Sequence, residues 1–91
     1  MEIEVKLTVD AENDLMNIKE YLINYGEAFN KLLNKINACI KIIKYNPEIG
    51  RIGRRHNTRE FFINNTDYII VYKCKQNLLE ILTILHTSKK Y

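Results

Sequence analysis

The sequence predicts one α+β domain in the order strand, helix, helix, strand, strand, strand, with a helical hairpin packed on one face of an antiparallel sheet. Three observations carry this prediction. Ile3, Val5 and Leu7 alternate with Glu4 and Lys6, the period of a half-buried strand. From Asp10 to Asn46 apolar residues recur at three- and four-residue spacing, as one buried helix face requires. From Glu60 onward the runs "EFFI", "YIIVYKC" and "LLEILTIL" are short and rich in β-branched and aromatic residues.

Each element has its own signals. Asp10 is placed to cap the first helix, with Glu12 and Asp14 in the first turn where the dipole favours negative charge. Leu15, Ile18, Leu22 and Tyr25 form its apolar stripe, and Gly26 is a natural stop. Phe29, Leu32, Leu33, Ile36, Cys39, Ile40 and Ile43 continue the period to Asn46, where Pro47 disfavours further helix. With a single glycine between them, the two helices should form an antiparallel hairpin. "NNTD" and "KQN" then read as the turns of a three-stranded meander. "YIIV", apolar on both faces, belongs in a central strand, and the hairpin must cover one sheet face to bury its own stripes. No linker, repeat or low-complexity segment divides residues 1–91, which read as a single domain.

Charge is distributed unevenly. Residues 1–48 carry six Lys against eight Asp/Glu, a balance of −2, and residues 49–91 carry eight Lys/Arg against three Asp/Glu, a balance of +5. A basic half without a basic amphipathic helix favours an anionic partner over a membrane. The longest apolar run, "YIIVY", is far below bilayer length, and "MEIEVKL" does not resemble a signal peptide, so a cytoplasmic protein is expected. Cys39 and Cys74 lack a CxxC spacing or a neighbouring His, which predicts reduced thiols and neither metal nor cofactor.

All four arginines fall in "GRIGRRHNTREFF". Arginine suits bidentate contacts to carboxylate or phosphate, whereas lysine serves as a solvated point charge. Each of Arg51, Arg54 and Arg55 alone fits a solvated loop; together, and with His56, they read as a recognition surface on a loop pinned by Pro47, Gly50 and Gly53. If "NNTD" and "KQN" are the turns, Arg59 lies opposite Tyr72 and Tyr72 opposite Glu80, a row that reads as a structural tie. His86 shares that face six residues beyond Glu80, roughly 20 Å along the strand. Arg59 and His86 should therefore not meet on one phosphate.

The order of elements, with "AENDLMNIKEYL", "NPEIGR", "NTRE", "YIIVYK" and "ILTILHTSKKY", resembles the toxins of the ParE and RelE family across nearly the whole chain. That resemblance implies a small toxin neutralised by a cognate antitoxin, in a toxin–antitoxin hetero-oligomer. RelE-like members cut messenger RNA on the ribosome, and here such chemistry would fall to His86, Arg59 and Tyr91. ParE-like members inhibit DNA gyrase. RelE-like ribonucleases tend to array several basic residues on their strands, where this chain offers Lys73 and Lys75, so the resemblance is nearer to ParE. A reading of another class, a non-enzymatic nucleic-acid-binding module, has the basic second half in its favour; against it, no helix carries a basic stripe.

Overall fold

A computed structural model describes residues 3–89. Tyr91, named above for the ribonuclease reading, lies outside the described residues. Two helices and a five-stranded sheet are present: β1 (Glu4–Leu7), α1 (Val9–Tyr21), α2 (Ala28–Tyr45), β2 (Arg51–Ile52), β3 (Arg59–Phe62), β4 (Tyr68–Lys75) and β5 (Leu78–His86).

Helix α1 begins directly after β1, and its cap is Thr8 instead of Asp10. The Thr8 hydroxyl accepts from the Ala11 N–H at 3.1 Å and donates to the Leu82 carbonyl at 2.8 Å, so one side chain both starts the helix and fixes it to the sheet. Asp10 instead sits in the first turn with Glu12. The helix ends at Tyr21, and residues 22–27 turn the chain with Gly26 at φ +60°, a conformation that favours glycine. Helix α2 closes at Asn46, whose N–H reaches the Ile42 carbonyl at 3.1 Å immediately before Pro47.

The sheet order is β1-β5-β4-β3-β2, with β1 parallel to β5 and the other neighbours antiparallel. The sheet is therefore mixed, where a purely antiparallel one was expected. The departure has one cause: the expected order lacks β2. Counting one reversal of direction per connection, seven elements give six reversals, an even number, so the first and last strands run the same way. Six elements would have made them antiparallel.

The register also differs from expectation beyond Tyr72. Lys75 pairs with Leu78, so the second turn is the residue pair Gln76-Asn77, and Tyr72 faces Ile81. Val71 faces Thr83, which leaves Leu82 as an extra residue in a bulge. Glu80 consequently lies opposite Lys73, 3.8 Å from its ammonium, on the sheet face away from Tyr72. It is not part of a tie with Arg59 and Tyr72. The pairing of Arg59 with Tyr72 is as expected.

Ile70, Tyr72, Leu79, Ile81 and Ile84 form the sheet side of the core and meet Ala11, Ile18, Leu32, Ile36, Cys39 and Ile43 from the helices. Burial raises the pKa of the Cys39 thiol, which keeps it protonated and inert. Strand β4 is central, as its two apolar faces require: Ile69 and Val71 are buried on the side away from that helix-facing cluster.

Candidate functional site

The arginine segment is a hairpin, not a simple loop. Strand β2 pairs Arg51 with Glu60 and Ile52 with Arg59, and the Gly53 N–H closes the loop on the Thr58 carbonyl at 2.8 Å. Within it the Thr58 hydroxyl donates to the Arg55 carbonyl at 2.7 Å, and Asn57 takes φ +60°. A side chain at Gly53 would meet the Thr58 hydroxyl and carbonyl, which explains the glycine.

Alternation along β3 sends its two charged residues to opposite faces with different tasks. On the helix-facing side, the Arg59 guanidinium donates to the Gly50 carbonyl at 2.8 Å and the Glu48 carbonyl at 3.2 Å. Beside it, the buried Tyr72 hydroxyl donates to the Pro47 carbonyl at 2.8 Å and accepts from the Gly50 N–H at 2.9 Å. Burial raises the Tyr72 pKa, so the phenol stays a neutral donor. Arg59 and Tyr72 together hold the Pro47–Gly50 turn. Gly50 is required there because a Cβ would lie 2.7 Å from the Tyr72 hydroxyl and 3.0 Å from the Glu60 carbonyl.

On the other face stands Glu60, whose side chain is 1 % exposed. It accepts from Arg51 Nη2 at 3.0 Å, from the Arg54 N–H and Nε at 3.1 Å each, and from Arg54 Nη2 at 3.4 Å. Burial alone would raise its pKa; the side-chain and backbone bonds from Arg54, then the bond from Arg51, outweigh that and hold it below the ordinary carboxylate range. Glu60 therefore organises the arginine cluster, a role absent from the sequence reading. The signal was available: it is the single carboxylate among four arginines, on the strand face opposite Arg59.

Arg51 and Arg54 keep 68 % and 47 % of their side chains exposed while bound to Glu60, so each guanidinium also presents a solvent-facing edge. Arg55 and His56 line a cleft of about 510 Å³ with Asp10, Asn13 and Asp14 of α1. The four residues expected to form a recognition surface are thus on one hairpin, but two are anchored to a common anion and two lie beside the acidic start of α1.

His86 closes β5 elsewhere. It pairs with Tyr68, and the two rings meet edge to face with centroids 5.2 Å apart. Its Nδ1 lies 2.8 Å from the Ser88 hydroxyl and accepts from the Ser88 N–H at 3.1 Å, which puts the proton of the neutral ring on Nε2. Arg59 sits in the row of Tyr72, and His86 in the row of Tyr68, four residues away along β4, about 13 Å at strand rise. The two do not converge. Asp14, read from sequence as a helix-dipole residue, instead accepts from the Ile84 N–H at 3.0 Å and from the Thr83 hydroxyl, fastening α1 to β5. No cluster of three or more His, Cys, Asp or Glu able to hold a metal occurs among the described residues.

Residues 5–91 match the family described as "ParE toxin of type II toxin-antitoxin system, parDE". This chain belongs to the ParE toxin family. A curated protein of Sinorhizobium fredii named "Putative toxin Y4kP" is 29 % identical over 65 residues, covering 71 % of this chain and 67 % of that protein. A solved structure titled "Chromosomal ParDE TA system from P. aeruginosa" shares the fold, with a TM-score of 0.80 at 20 % identity over 92 % of this chain and 95 % of the other. The ParE match spans the Pro47–Arg51 turn, Thr58–Glu60 and the end of β5, the segments that carried the resemblance. No helix among the described residues is long and apolar enough to cross a membrane.

Proposed function

We propose that this ParE-type toxin arrests growth by inhibiting DNA gyrase in the cytoplasm and is neutralised by a cognate acidic antitoxin. The observation that supports gyrase over transcript cleavage is the commitment of Arg59 to the Pro47–Gly50 turn, about 13 Å along the sheet from His86. Cleavage by a 2′-hydroxyl needs base, acid and phosphate-binding cation within hydrogen-bonding reach of one scissile bond. Inhibition by binding needs only a complementary surface. Arg51, Arg54, Arg55 and His56 are the proposed contacts to antitoxin or target, because an arginine already oriented by Glu60 loses little conformational freedom when its exposed edge meets a second carboxylate.

The test is inducible expression in bacteria followed by two assays. Growth arrest with impaired supercoiling by purified gyrase, unchanged by His86→Ala, is the expected result. Arrest accompanied by cleavage of ribosome-bound transcripts and abolished by His86→Ala would overturn it.

A further inference from the structure

Strand β3 lies against β4 only from Ile69 to Tyr72. Lys73, Cys74 and Lys75 continue with β5 on one side and, among the described residues, no strand on the other, because the chain turns away at Thr58 into the arginine hairpin. The space so left is a cleft of about 1020 Å³ between the hairpin loop and the projecting β4–β5 turn. Its lining includes Arg59, Lys73 and Lys75 against one carboxylate, Glu80. Lys73 reaches Glu80 at 3.8 Å, and Lys75 makes no ion pair among the described residues.

We infer that this notch receives an extended acidic segment of the antitoxin, paired along the open side of Lys73–Lys75. The inference rests on the antitoxin reading above and names where and by what chemistry the partner docks. An unpaired strand edge supplies main-chain donors and acceptors, and alternate pockets supply the specificity of such an added strand. Lys73 and Lys75 point to the same sheet face about 7 Å apart, the spacing of residues i and i+2 in an added strand. Cys74 points to the other face, as does Ile52 through its pairing with Arg59, and Ile52 is 81 % exposed. The segment that fits carries Asp or Glu at i and i+2 and an apolar residue at i+1. A single nucleic-acid strand fits less well. Among the described residues no Phe, Tyr or Trp lines the cleft to stack on bases, and strand-edge backbone has no partner in a sugar-phosphate chain.

The experiment is amide chemical-shift mapping of the intact protein with three probes: an end-blocked peptide alternating Glu and Val, the same peptide with Lys for Glu, and oligouridylate of equal length. The Glu–Val peptide should shift the amides of Lys73–Lys75 and Ile52, and weaken severalfold as salt rises from about 0.02 to about 0.3 M. The double variant Lys73→Glu/Lys75→Glu, folded by its unshifted core amides, should lose about tenfold in affinity or more. Shifts confined to Arg51–His56, no shifts, or tighter binding of oligouridylate would each overturn the inference. The growth assay is independent: arrest by the wild type with a silent notch removes only this inference, whereas no arrest removes the functional reading on which it rests.

Discussion

Replacing Glu60 by Gln tests whether one buried carboxylate organises the arginine hairpin. Four N–H donors converge on it, three from Arg54 and one from Arg51. Breaking a fully buried ion pair costs about 3–5 kcal/mol. Here both arginines are roughly half exposed or more and would be resolvated, and the amide retains one acceptor oxygen, so the expected loss is about 2 kcal/mol. For a domain of this size that lowers the melting temperature by about 10 °C. The pH dependence gives a second reading. Because the folded carboxyl is held below its ordinary value, its contribution is complete above the unfolded pKa of about 4.3 and lost as pH falls through the folded pKa. Melting curves or urea titrations of wild type and variant should therefore differ near pH 7 and converge as the pH falls below the unfolded carboxyl's value. A difference that persists undiminished in acid, or that is missing at neutral pH, would refute the reasoning.

Three further substitutions test the supports of the site. Tyr72→Phe removes the bridge between the Pro47 carbonyl and the Gly50 N–H, and chemical denaturation should show a loss of about 1–3 kcal/mol with faster hydrogen exchange at Gly50. Gly53→Ala places a Cβ 3.0 Å from the Thr58 carbonyl and against its hydroxyl. Its unfolding midpoint should fall, and adding Thr58→Ala should recover part of the loss even though that second change alone destabilises. Asp14→Ala strips the Ile84 N–H and the Thr83 hydroxyl of their acceptor, with an expected cost of about 2 kcal/mol, whereas Asp14→Asn, which keeps a carbonyl oxygen at the same reach, should cost less.

What the sequence discloses depends on how far apart the causes lie. Both helices are legible because their apolar stripes repeat within a few residues, and the β3–β4 register is legible because a short turn fixes it. Strand β2 is not: Arg51 and Ile52 are a strand only because Glu60 and Arg59 offer them a ladder, and no local period marks so short a segment. Losing β2 also concealed the parallel β1–β5 pairing, since direction follows from the number of connections. The bulge at Leu82 and the turn Gln76-Asn77 moved Glu80 to the far face, and Gln76 holds φ +56°, which its residue type does not advertise. At the site, Arg59 and Tyr72 were recognisable as a tie because they are cross-strand neighbours. Glu60 was not recognised as an anchor because its partners lie six and nine residues back along the chain, brought round by the hairpin.

β1 is shorter than the strand it accompanies. It covers Leu78–Ile81 and stops, and beyond it Leu82 and Ile84 meet Thr8, the cap of α1, and Asp14 within it, where another strand would be. The helix thereby acts as a guard rail: with the Ile84 amide already engaged, a neighbouring molecule finds no template there for runaway cross-chain stacking. The same threonine that starts the helix therefore also closes part of a strand edge.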